Sequence, residues 1–124
     1  MDNNTYQKAS VRTAPSSKQI MDTKMAFGTD FNVNLTHFSV GLSGESGEVL
    51  ELVKKHVFYQ KPLNKEKLIE ELGDVCYYLS MLLTTLDTTF DEVFQANVDK
   101  LLKRYPNGSN NVDAIKRGDE NEGN

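Results

Sequence analysis

Acidic side chains stand at helical spacing where an ordinary helix would keep them apart. In Gly44-Glu45-Ser46-Gly47-Glu48-Val49-Leu50-Glu51, Glu45 and Glu48 are three residues apart and share a helical face. In Glu70-Glu71-Leu72-Gly73-Asp74, Glu71 and Asp74 repeat the device. Like charges at this spacing repel by roughly 0.2–0.5 kcal/mol per pair. Glu71 and Asp74 are also flanked by Leu68, Leu72, Val75 and Leu79, and a carboxylate among apolar neighbours is costly unless paired or bound to metal. If the two segments form an antiparallel helical hairpin, Glu45, Glu48, Glu71 and Asp74 converge from facing turns. Oxygen-only ligands suit Mg²⁺, or Mn²⁺, hard ions that keep several waters and bridge carboxylates to substrate phosphates. Gly47 and Gly73 sit inside the two motifs, where each costs about 1 kcal/mol relative to alanine. Close helix approach or room for a ligand accounts for them. A lone Glu-x-x-Glu more often marks a solvated face; two such pairs on consecutive apolar helices fit that explanation less well.

Other chemistries lack their residues. A di-iron bundle needs Glu-x-x-His on its helices, and neither His37 nor His56 has a glutamate three residues before it. Zinc needs His or Cys at suitable spacing, and two scattered histidines with the single Cys76 do not supply it. No Gly-rich phosphate loop of the Walker type is present.

The elements that must carry these acids follow from periodicity. Leu35, Phe38, Leu42, Val49, Leu52, Val53 and Val57 recur at three- and four-residue steps, which predicts a helix running to about Tyr59. Lys61-Pro62-Leu63 breaks it, Asn64 caps the next, and Leu68 through Leu86 form a helix so apolar that it is expected to be central. Thr89 with Glu92 three residues on has the form of a capping box and opens a last helix through Leu102, stopped by Tyr105-Pro106-Asn107-Gly108. Two shorter helices come first, Thr5 to Thr13, ended by Ala14-Pro15, and Ser16/Ser17 to Phe27, ended near Gly28. No strand alternation appears. The expected class is all-α, a four-helix-bundle-like core of antiparallel helices with short connections, over residues 1–108 as a single domain. Residues 109–124, with only Val112 and Ile115 apolar, bury too little to offset the entropy of ordering, and are read as a flexible tail.

Composition narrows the partners. Eighteen acidic and fourteen basic residues give a net charge of −4 over 124 residues, so nucleic acid and anionic membrane surfaces are unfavoured by the global field. No run approaches the roughly eighteen apolar residues that span a bilayer, no signal-type apolar region follows Met1 to Asn4, and Cys76 can form no internal disulfide. Together these features point to a cytoplasmic setting, with Cys76 expected to pack as a small buried hydrophobe.

The full pattern, Glu45-x-x-Glu48, then Glu71-x-x-Asp74 within Glu70-Glu71-Leu72-Gly73-Asp74-Val75, then Asn97-x-x-Lys100 and Lys103-Arg104-Tyr105-Pro106, resembles the MazG-like branch of the all-α nucleoside triphosphate pyrophosphohydrolases. The resemblance covers about Leu35 to Pro106. It implies an oligomeric Mg²⁺-dependent enzyme that converts a nucleoside triphosphate to the monophosphate and pyrophosphate by metal-activated water. Glu45, Glu48, Glu71 and Asp74 would then be metal ligands, with Glu45 or Glu48 catalytic and Glu45 the first choice to orient or deprotonate the water. Lys54, Lys100 and Arg104 would meet phosphate, Asn97 the sugar or base, and His37, two turns before Glu45, would lie near the base. The motif set occurs once, so a homodimer or homotetramer is implied if a second half-site is required. On the residues alone one alternative stays open, a non-catalytic helical interaction module with an acidic recognition face.

Overall fold

The computed structural model describes residues 2–108. Among them the chain forms five helices and no strand: α1 (Asn3–Val11), α2 (Ser17–Phe27), α3 (Asp30–Val57), α4 (Lys65–Thr85) and α5 (Phe90–Arg104). The expected tail, 109–124, lies outside the described residues. Helix boundaries are set by local side-chain chemistry. The Asp2 carboxylate accepts from the Thr5 amide at 2.7 Å to open α1. Ser16 and Gln19 make a reciprocal capping box at the start of α2, satisfying two amides that a helix start leaves without partners. The Thr29 hydroxyl accepts from the Asn32 backbone amide, and the Asn32 side-chain Nδ2 donates back to the Ala26 carbonyl at 2.7 Å. That bond ties the end of α2 to the beginning of α3.

Helix α3 stops at Val57, two residues short of the expected end. The reason lies in the turn: Gln60 takes φ +53°, while the Lys61 amide reaches the Lys55 carbonyl and the Lys61 carbonyl meets His56 Nδ1 at 2.8 Å. The chain has therefore reversed before Pro62. As expected, Asn64 accepts from the Lys67 amide, opening α4.

The far end of α4 closes in a Schellman arrangement, with Thr88 N–H donating to Leu83 O and Asp87 N–H to Thr84 O. Asp87 occupies the left-handed position at φ +54° that glycine more often takes. Thr89 then caps α5 through the Glu92 amide at 3.2 Å. The Glu92 carboxylate, however, accepts from the Thr88 hydroxyl instead of the Thr89 amide. Half of the expected capping box forms, because the Schellman turn brings Thr88 closer.

The structure divides into two compact units, Met1–Tyr78 and Leu79–Asn124. Within the first, α3 and α4 run antiparallel, as the pairing of Gly41 with Tyr78 and of Glu45 with Glu71 and Asp74 requires. Few side chains are fully enclosed. Leu83 is the buried hydrophobic residue and Glu71 the buried charged one among the described residues. The central burial expected of α4 is thus not reached within one chain: Ile69 and Leu72 are exposed, and so is Cys76, which was expected inside. An apolar helix displays such faces when the surfaces that would cover them lie beyond its own hairpin. Replacing Leu83 by alanine is expected to cost about 2–5 kcal/mol, read as a lower urea midpoint at unchanged slope.

Candidate functional site

Three carboxylates from two helices meet at one place. Ligand oxygens of Glu45 on α3 and of Glu71 and Asp74 on α4 all lie within 4.8 Å of one another. Their burial is graded: Glu71 is 8% exposed, Glu45 is half-buried and Asp74 is open to solvent. Adjacent turns of α4 supply two of the ligands, and the antiparallel crossing of α3 supplies the third.

The charge cost of this convergence falls on Glu45. Its carboxyl is held above the ordinary value of 4.5, first by desolvation, then by a hydrogen bond with Glu71, then by the charges of Asp74, Glu71 and Glu48. Glu71 is partly compensated. Lys67, one turn earlier on α4, places its ammonium 3.2 Å from both Glu70 Oε2 and Glu71 Oε1. Its own affinity for the proton is raised by the hydrogen bond to Glu70 and then that to Glu71. Because folding raises Glu45, the folded chain binds its proton more readily than the unfolded one. The stabilisation from that proton is complete below the ordinary carboxylate value and lost as pH rises through the raised one. Glu45→Gln is therefore expected to melt higher than the native chain at neutral pH without added metal, with the advantage shrinking as pH falls toward 4.5. Melting curves at a series of pH values check this, and equal melting of the two proteins at pH 7 would contradict it.

Glu48 stands apart from the triad, exposed on α3, although its charge is felt at Glu45. Gly47 and Gly73 face open space, with no atom within 4 Å of where a β-carbon would sit. Close approach of α3 and α4 therefore does not explain them. Lys54 is engaged locally, 3.1 Å from Glu51 Oε1 on its own helix and 5.9 Å from the centre of the Tyr59 ring just past the end of that helix. His37 is exposed and packs edge-on against Phe38. On α5, Asn97 and Lys100 share a shallow depression with Val93 and Ala96, and Arg104, one turn past Lys100, is half-buried. Sequence reasoning did not single out Lys67 beside Glu71. Its signal was the four-residue step from Lys67 to Glu71, which sets opposite charges on one face.

Comparison with known proteins adds one decisive finding. The family model for the MazG nucleotide pyrophosphohydrolase domain matches residues 35–109, more than half of the chain. The chain belongs to the MazG nucleotide pyrophosphohydrolase family. The Gene 37 protein of Mycobacterium phage L5 is similar, 38% identical over 80 residues that cover 60% of this chain and 68% of that one. No solved structure matches. The matched MazG segment contains the whole carboxylate triad, Lys67 and all of α4 and α5. Three hard oxygen donors on a rigid helical hairpin fit a divalent cation of the Mg²⁺ type. Among the described residues no helix is long and apolar enough to cross a membrane.

Proposed function

We propose that this MazG-family chain hydrolyses a nucleoside triphosphate, ribo or deoxyribo, to the monophosphate and pyrophosphate, with Mg²⁺ as the physiological cofactor and Mn²⁺ as a substitute. The observation that carries the reading is the meeting of Glu45, Glu71 and Asp74 oxygens within 4.8 Å across two helices. Such a concentration of charge is costly without a cation to hold. Glu71 and Asp74 are assigned as ligands, with Glu45 completing the set and Glu48 contributing from the next turn of α3. A bound divalent ion supplies charge neutralisation on the phosphates and a more acidic water.

Glu45 is the proposed general base. It is the α3 member of the triad, placed to orient a water held there or to take its proton. The water oxygen bonds to phosphorus, its proton passes to Glu45, and the bridging α–β oxygen leaves with one of the two products. Along the α3 axis, with about 1.5 Å of rise per residue, His37 lies about 12 Å from Glu45 on one side and Lys54 about 13.5 Å on the other. This order suits a base toward His37 and phosphates toward the acids; Lys54 starts from the face opposite Glu45 and is proposed as a phosphate contact only through the reach of its long side chain. Asn97, Lys100 and Arg104 are assigned contacts to sugar, base or phosphate. Self-association into a dimer or tetramer and a cytoplasmic setting complete the proposal, the former supported by the apolar side chains that α5 leaves exposed.

Incubating the chain with each common ribo- and deoxyribonucleoside triphosphate and Mg²⁺, then separating products, tests the reading. Equal amounts of monophosphate and pyrophosphate are expected from at least one nucleotide. Their absence from all of them, with Mn²⁺ also tried, would defeat it.

A further inference from the structure

One glycine in the site helices is crowded, and it is neither of the two inside the acidic motifs. A β-carbon built on Gly41 would fall well under 3.0 Å from Cε1, Cδ1 and Cζ of the Tyr78 ring. No comparable neighbour exists at Gly44, Gly47 or Gly73, where the space is open. Gly41 lies one turn before Glu45 on α3, and Tyr78 one turn after Asp74 on α4. In an antiparallel pair these two steps run in the same direction, so the ring-on-glycine contact forms the layer next to the carboxylates.

We propose that Gly41 is a positioning residue: by lacking a side chain it leaves the Tyr78 ring room to lie across α3, so that nothing pushes α4 away from the separation at which Glu45 meets Glu71 and Asp74. The inference rests on the metal-site reading above, but concerns a residue outside the ligand set. A methyl group at position 41 must displace either the ring or the helix that carries it. Helical side chains have few allowed rotamers, and the Tyr78 ring is already packed edge-on against Tyr77, with centres 5.1 Å apart. Displacing α4 moves Glu71 and Asp74 with it. Mg²⁺-type ions demand near-ideal coordination at about 2.0–2.1 Å, so a shift of about 1 Å takes one carboxylate out of joint reach. It is the ring carbons of Tyr78, and not its hydroxyl, that a side chain at position 41 would meet first.

The test reads Mn²⁺ binding directly, by the loss of the free-ion paramagnetic resonance signal, in the full chain without nucleotide. Gly41→Ala is expected to weaken Mn²⁺ binding at least tenfold, on the scale that an ångström of misplacement produces. Tyr78→Phe and Tyr78→Ala are expected to stay within about threefold of the native chain. Combining Gly41→Ala with Tyr78→Ala should restore binding, and should restore helicity if the single Gly41→Ala variant fails to fold. Native-like affinity in Gly41→Ala would overturn the proposal. So would loss of affinity in Tyr78→Ala alone, or failure of the double variant to recover. A native chain that binds no Mn²⁺ would overturn the metal-site reading together with this inference, whereas native binding that Gly41→Ala leaves unaltered removes only the inference.

Discussion

Glu71→Gln is expected to lower the turnover of nucleotide by about three orders of magnitude, while the metal-free chain melts no lower than the native one. Glu71 is the most enclosed member of the triad and acts on both neighbours: a proton on Glu45 is held against it, and Lys67 lies 3.2 Å from one of its oxygens. The amide keeps the size and removes the charge. Charge stabilisation by a bound metal is worth several kcal/mol in the transition state, and each 1.36 kcal/mol is tenfold in rate, so disabling the centre removes about three decades. Stability does not follow activity, because the substitution relieves repulsion at Glu45 even as it loosens Lys67. Steady-state kinetics with saturating nucleotide, Mn²⁺ titration and thermal melting separate the effects. Activity within tenfold of the native chain would contradict the assignment. If Mn²⁺ binding is unaltered and no native activity exists, the acids are a recognition face instead.

The second large effect concerns the outer surface of α5. Val93, Phe94, Val98, Leu101 and Leu102 recur along this helix, and Phe94 and Leu102 are 58% and 64% exposed. An apolar stripe of this kind on a helix is a surface made to be covered. Full burial of each large apolar side chain contributes about 1.5–3 kcal/mol, so several together are enough to hold two copies of the chain at micromolar concentration. The native protein is expected to sediment as a dimer or larger species. Phe94→Glu combined with Leu101→Glu should sediment as single chains and lose at least nine-tenths of its hydrolytic activity, if the site needs a second copy. A native chain that sediments as a monomer at every concentration would refute the association.

Much of this protein is legible without coordinates, and the legible parts share a cause. Ser16, Asn64 and Thr89, expected as caps, each satisfy an amide three residues on, as do Asp2 and Thr29, which the sequence reading did not single out; interactions over so short a reach belong to the local chain. The all-α class, the order of the five helices and the choice of Glu45, Glu71 and Asp74 as candidate acids were readable on the same ground, from spacing along single helices and from the MazG-like motif set.

What lay beyond reach depends on how one helix meets another. Periodicity places Glu45 and Glu48 on one face, but only the crossing of α3 over α4 decides that Glu45 joins the triad and that Glu48 stands outside it. The same holds for the glycines: Gly47 and Gly73 look like contact positions because of the motifs around them, while the crowded one is Gly41, whose neighbour Tyr78 is distant in sequence. Cys76 and Leu72 are apolar by type and exposed in fact, because hydropathy states what a side chain tends toward and only packing supplies the surface that covers it. The amino-acid sequence by itself determined the helices, their caps and the identity of the acids, since those rest on interactions within about four residues. The tertiary structure alone decided which acids converge and at what separation, since that distance is set by side-chain volumes on two helices with no local relation to each other.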